Sequence, residues 1–237
     1  MSNPYFQFKK FIVHQEGAPL KVTTDACLFG ALIETENATS ILDIGTGTGL
    51  LVLMLAQKSD ASCILGIEVD KRTAELAETN FSGSSWKEKT KSLQSDIFSW
   101  SEHADSKFDL IVCNPPFFSS SMKNEDERKS LARHNDSLSH KNLTIILSKH
   151  LTKNGKAFIM LPPNEMIAFE NYCSIQNLFP EKKFVISSNE GKSPHLFIIS
   201  FLFNPENFSE EKIFIHEKDG KYTERFMELL APYYLHL

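Results

Sequence analysis

The chain has 237 residues, 41% of them hydrophobic and 23% charged, enough for one full α/β domain with small additions and too few for two generous ones. Its net charge of −5 speaks against a nucleic-acid partner as far as the sum goes, because phosphate binding wants basic surface. Residues 1–10 lack a charged-then-apolar signal pattern, and the longest apolar run, residues 196–203, is far too short for a bilayer, so neither secretion nor membrane insertion is expected.

From about residue 40 strand and helix patterns alternate, which predicts a parallel sheet covered by helices on both faces. Residues 40–44 read as a strand, 50–58 as a helix, 63–67 as a second strand and 71–81 as a second helix. Residues 82–91, rich in Ser, Gly and Lys, read as a loop, and a third short strand ends ahead of Asp96. Residues 108–113 are another strand, and a helix or two falls between residues 126 and 150. Residues 157–161 form a strand stopped by Pro162-Pro163, with a helix over 165–173. Residues 183–186 and 196–203, near-continuous apolar runs, are the last two strands of the sheet. The tail holds a short strand at 212–215 and a helix over 223–230. Charge is uneven: residues 121–156 carry eight Lys/Arg against four acids, so they are +4 and the rest is −9. That stretch is either a basic contact surface or a solvated helix face. The four cysteines, Cys27, Cys63, Cys113 and Cys173, form no CxxC or Cys/His cluster; they read as reduced, mostly buried thiols of a cytoplasmic protein, and no metal site is expected.

Asp43-Ile44-Gly45-Thr46-Gly47-Thr48-Gly49-Leu50 joins a strand to a helix. Glycines there allow a sharp turn and close approach of a ligand. Position 50 is Leu, so the last glycine of the dinucleotide fingerprint is missing. Asp43, just ahead of the turn, can position an ammonium directly or through water. Glu68 ends the second strand, 21 residues after Gly47, where a carboxylate can accept both hydroxyls of a ribose; Val69 goes with it, and Asp70 competes for the role. Asp96 follows the third strand and would meet an adenine amino group, with Ile97 packing on the ring; as a helix N-cap it would look the same. All three acids sit at strand carboxyl ends, where open α/β sheets bind ligands. The set closely resembles the class I methyltransferase fold: a Rossmann-like, mostly parallel seven-stranded sheet with helices on both faces. The resemblance implies S-adenosylmethionine as cofactor.

Asn114-Pro115-Pro116-Phe117 follows the strand at 108–113 and therefore lies at the same sheet edge. An exocyclic amine on a purine is a weak nucleophile because its lone pair is conjugated with the ring. The Asn114 side-chain oxygen and the Pro115 carbonyl can accept its two N–H groups and free the lone pair for a methyl group. They bind more tightly as positive charge develops on the nitrogen. The prolines stiffen the loop, and Phe117 offers a stacking face worth about 1–3 kcal/mol. No general base or metal is required. Similar tetrads occur in adenine-N6, guanine-N2 and protein-glutamine methyltransferases. A paired base would have to be flipped out to enter.

Further blocks narrow the substrate: Phe6-Gln7-Phe8-Lys9-Lys10-Phe11, Val13-His14-Gln15, residues 21–30, Leu131-Ala132-Arg133-His134, and the tail from Lys221-Tyr222-Thr223-Glu224 to Tyr233-Tyr234-Leu235. With the Asn114 tetrad they closely resemble the bacterial tRNA1(Val) (adenine-37-N6)-methyltransferases along almost the whole chain. That resemblance implies a single methyltransferase domain over 1–237, with residues 1–35 as a substrate and cofactor lid and 36–237 as the catalytic core. It implies a cofactor role for Lys21 and Thr24 and RNA contacts for Lys9, Lys10, Arg133 and His134. It also implies a tRNA partner and a cytoplasmic monomer. Beside these roles, Thr24 or Asp25 can simply cap a helix starting near Ala26, His134 can be a surface histidine, and residues 222–234 can be packing. A guanine-N2 rRNA enzyme and a protein-glutamine N5 enzyme remain as alternatives. The missing duplicated domain, and the roughly 35 residues ahead of the first sheet strand, weigh against each in turn.

Overall fold

The computed structural model describes residues 3–115, 139–205 and 207–237. A two-stranded hairpin, β1 (Tyr5–Gln7) and β2 (Ile12–His14), precedes helix α1 (Thr24–Leu32). Then come β3 (Ser40–Ile44), α2 (Leu50–Lys58), β4 (Cys63–Glu68), α3 (Lys71–Ser82), β5 (Thr90–Gln94), α4 (Ile97–His103) and β6 (Phe108–Cys113). After residue 138 follow α5 (His140–His150), β7 (Leu151–Leu161), α6 (Pro163–Ile175), β8 (Phe179–Ser187), β9 (Leu196–Leu202), β10 (Ser209–Phe214) and α7 (Glu224–Leu230).

Strands β3 to β10 form one sheet in the order β10-β8-β9-β7-β6-β3-β4-β5. β9 runs antiparallel to both neighbours, and every other pairing is parallel. Alternation along the strands splits the core in two. Leu110 and Val112 of β6 face one cluster with α1, α2 and α7, while Ile111 and Cys113 face the other with α5 and α6. Among the described residues no helix is long and apolar enough to cross a membrane.

The sheet has eight strands where the sequence resemblance implies seven. The additional one is β10, which pairs in parallel with β8 from Ser209↔Lys182 to Phe214↔Ser187. Its Ile213 is fully buried beside Phe184 and Ile186, and its backbone satisfies the outer edge of β8. Other differences concern boundaries. Thr90 and Lys91, expected in a loop, begin β5 opposite Ile64 and Leu65. β7 and β8 reach into polar residues that periodicity excludes, because backbone pairing does not need apolar side chains. Pro163 opens α6 at its first position, where a proline loses no hydrogen bond. Helix α1 is capped by the Thr23 hydroxyl, which accepts from Ala26 N, and not by Thr24 or Asp25.

The amino ends of the central strands are tied by Asp109. Its Oδ2 accepts from the Thr39 and Ser40 amides and hydroxyls at 2.7–3.2 Å, and its Oδ1 from Thr152 Oγ1 at 3.2 Å. Burial alone would raise this carboxyl, but the hydrogen bonds outweigh it and hold the pKa below the ordinary aspartate value. A depressed carboxylate stabilises the fold above its unfolded-state pKa and loses that contribution as pH falls through the folded one. Asp109→Ala is expected to cost about 2 kcal/mol in urea denaturation at pH 7, with the gap to the parent narrowing below about pH 4.

Candidate active site

Strand β3 delivers Asp43 to the carboxyl edge of the sheet, completely buried. The turn that follows has Gly45, Gly47 and Gly49 at φ +73°, +55° and +83°. Thr46 folds back under it, and its hydroxyl donates to Asp43 Oδ2 at 2.7 Å. This needs Gly66 on neighbouring β4, where an added Cβ would meet Thr46 Oγ1 at 2.6 Å. Asp43 Oδ1 is buried with no hydrogen-bond partner among the described residues. Burial raises the carboxyl to about 7; the Thr46 hydroxyl opposes the rise and the negative charge of Glu68 adds to it.

Glu68 ends β4 and reaches across the turn. Its Oε2 accepts from Gly47 N and its Oε1 from Asp70 N, both at 3.0 Å. Each oxygen retains a lone pair for a further donor. Asp70, the competing candidate, caps α3 instead, accepting from Thr73 N and Oγ1. Val69 beside it is a partly exposed apolar side chain, 39% accessible. Ser95 N donates to Glu68 O at 2.9 Å, which brings the end of β5 alongside. There Asp96 caps α4 through Ser99 N at 2.9 Å, with both Ser99 bonds on Oδ1, and Ile97 is buried in the core.

Asn114 and Pro115 leave β6 next to β3, one residue past the Ile44↔Cys113 pair. They therefore stand beside the glycine turn. Cys113 is no nucleophile: burial first, and the Asp43 charge second, push its thiol well above the ordinary range. Pro116, Phe117, Arg133 and His134 lie outside the described residues. Among the described residues no group of three or more His, Cys, Asp or Glu could hold a metal ion.

The other sequence candidates among the described residues have partners or exposure of their own. Lys9 Nζ donates to Ala231 O at 2.6 Å and so clasps the tail, while Lys10 is exposed. Thr24 lies near enough to the Tyr234 hydroxyl to act on its pKa, and that hydroxyl in turn acts on the Cys27 thiol. Lys21 is exposed ahead of α1, and Asp25 pairs with His195 Nε2 at 3.1 Å. One residue escapes the sequence reading altogether. Asn80 of α3 is 3% exposed, and its carboxamide bonds both the hairpin and Thr48 of the glycine turn. A polar, poorly helix-forming residue next to Phe81 is its only sequence trace.

The fold has solved counterparts. A predicted O-methyltransferase of Agrobacterium tumefaciens superposes with a TM-score of 0.69 at 14% identity, covering 87% of this chain and 95% of its own. Residues 23–161 match the family model described as the methyltransferase small domain. Sheet order, glycine turn and edge acids together are those of a Rossmann-like class I methyltransferase. The tRNA1(Val) (adenine(37)-N6)-methyltransferase of Bacteroides fragilis is 36% identical over 99% of both chains, and that of Bacteroides thetaiotaomicron 37% over 100% of both. The chain belongs to this family of tRNA1(Val) (adenine(37)-N6)-methyltransferases.

Asp43 sets a stability test. Its pKa is raised on folding, so the folded state holds an extra proton between about pH 4 and 7, and ionising the carboxyl above that range costs stability. Asp43→Asn should therefore stabilise the ligand-free protein at pH 8 and have little effect at pH 5. Thermal unfolding at the two pH values checks this.

Proposed function

We propose that the protein transfers the methyl group of S-adenosylmethionine to the N6 amino group of an adenine in tRNA, the reaction for which its Bacteroides relatives are named. The observation that carries the reading is Asn114-Pro115 emerging from β6 directly beside the Asp43 turn. A methyl acceptor held by the first would lie next to a donor held by the second.

The residues present suit this cofactor. The buried Asp43 oxygen, without a partner among the described residues, suits a cationic amino group. Glu68, with a spare lone pair on each oxygen, suits the two ribose hydroxyls. Val69 suits a face of adenine, Ile97 meets the ring only through the 7% of it that is exposed, and Asp96 Oδ2, without a bond among the described residues, suits the adenine amino group. Gly45, Thr46, Gly47 and Gly49 present backbone without obstructing side chains. When bound, S-adenosylmethionine supplies a methyl group on a sulfonium, which an attacking lone pair takes as the carbon–sulfur bond breaks.

The chain's own part is orientation and charge. The Asn114 side-chain oxygen and the Pro115 carbonyl accept the two N–H groups of the adenine amine. Both strengthen their hold as the nitrogen becomes cationic, and its surplus proton then leaves to water. In this reading Pro116 keeps the loop stiff and Phe117 stacks on the base. Residues 1–35 act as the lid, with Lys21 and Thr24 toward the cofactor. Lys10, Arg133 and His134 face the RNA; Lys9 does so only if its bond to Ala231 is exchanged for a phosphate.

Labelled S-adenosylmethionine and unmodified tRNA provide the test, with counts expected in the tRNA. Label on protein or on rRNA would contradict the proposal. Asn114→Ala should drop transfer below about 1%, with the calorimetric cofactor Kd within about twofold of the parent. Glu68→Ala should instead raise that Kd at least about tenfold.

A further inference from the structure

The Asn80 carboxamide makes three of its four possible hydrogen bonds, with both N–H donors used. Its Oδ1 accepts from His14 N at 2.9 Å, and its Nδ2 donates to His14 O at 3.0 Å and to Thr48 O at 2.9 Å. To His14 at the end of β2 it behaves as a strand neighbour, pairing both backbone groups. To the glycine turn it is the group that holds Thr48 between Gly47 and Gly49. Phe81, the next residue, packs so closely on Gly49 that an added Cβ would lie 2.3 Å from its ring. The other end of α3 grips the same turn, since Glu68 holds both Gly47 N and Asp70 N, and Asp70 is the α3 cap.

The connection continues past His14. Gln15, 5% exposed, accepts from Val22 N through Oε1 at 2.9 Å and donates to Asn3 O through Nε2 at 3.1 Å. Buried and part-buried hydrogen bonds thus link the glycine turn to Asn80 and His14, and through the next residue in the chain, Gln15, to the residues just ahead of α1. No other residue type supplies Asn80's one acceptor and two donors in this space. Asp would set a carboxylate against two carbonyls, and Ala would leave the His14 and Thr48 groups unpaired.

We propose that Asn80 is a positioning residue coupling the glycine turn to the N-terminal hairpin, so that occupancy of the cofactor site orders residues 11–22. The inference rests on the reading of that turn as the cofactor site. It acts through Thr48 and touches neither cofactor nor substrate. By linkage the effect is reciprocal: a hairpin held in place favours a turn shaped for the cofactor. A bound methyl donor would then tighten the N-terminal segment that the fold already holds against α3.

Hydrogen exchange with and without S-adenosylmethionine tests this on the full chain. In the parent protein the cofactor should slow exchange in residues 45–49 and, at least threefold, in residues 11–16. In Asn80→Ala at saturating cofactor the first effect should persist and the second vanish, with the cofactor KM raised about tenfold and kcat changed less. Asn80→Ser takes its place if Asn80→Ala does not fold. Unchanged exchange at 11–16 in the parent, or protection there that survives the substitution, would overturn the coupling. No protection of 45–49 in the parent would overturn the cofactor reading itself, and the coupling with it.

Discussion

Asp43 is wholly buried at the carboxyl end of the central strand, and among the described residues a single hydroxyl, that of Thr46, meets its carboxyl. A buried carboxylate with a lone pair unmet is expensive, and the fold arranges much around it. Gly66 must be glycine for Thr46 to reach underneath, and three glycines with positive φ must follow for the chain to turn back into α2. Glu68 must reach over from β4 to hold Gly47, which adds a second negative charge near the first. The ligand-free arrangement is therefore electrostatically frustrated. A cation placed between these carboxylates would offset that repulsion, which is why an ammonium-bearing ligand suits the turn in the proposed reading.

The two ends of the chain meet each other over the first core cluster. Phe8 bridges to Tyr234, Lys9 N donates to Tyr233 O at 2.8 Å, and the Phe8 and Phe11 rings stack with centroids 4.5 Å apart. Gln57 Nε2 holds Pro232 O at 2.9 Å, and the Tyr234 hydroxyl lies near Cys27 and Thr24 on α1. The hairpin, α1, α2 and the tail are thus one packed layer over the first core. Residues that the family resemblance assigns to RNA and to a lid, Lys9 and Thr24, serve here to hold that layer together. Any movement of the N-terminal segment on binding has to work through these contacts.

How much of this was legible in the sequence depended on whether the signal was local. Strands 40–44 and 108–113 and helix 50–58 could be read with their correct limits, because strands covered on both faces and a wholly buried helix are continuous apolar runs bounded by polar residues. Asp43 and Glu68 could be placed at the carboxyl edge of the sheet because each comes at the end of a short apolar strand pattern. The Asp96 signature fits an N-cap and a ligand contact equally, and the structure realises the cap. What stayed hidden is non-local. Nothing in residues 209–214 says that they pair with 182–187, and nothing in Asn80 says that it meets His14, 66 positions earlier. Within the helix starting near residue 24, Thr23 won the cap from its neighbours by one position, a choice made by backbone geometry and not by residue type.

The central claim is that the edge between β3 and β6 aligns an adenine amine with a methyl group. Its most direct measurement is the chemical position of the transferred methyl. After reaction of unmodified tRNA with S-adenosylmethionine, the RNA is digested to nucleosides and the methyladenosine isomers, equal in mass, are separated by chromatography before mass spectrometry. The account predicts N6-methyladenosine, absent when Asn114 is replaced. Methyl on N1 or C2 of adenine would contradict the proposed grip on an exocyclic amine, and methyl on guanine would contradict the proposed substrate.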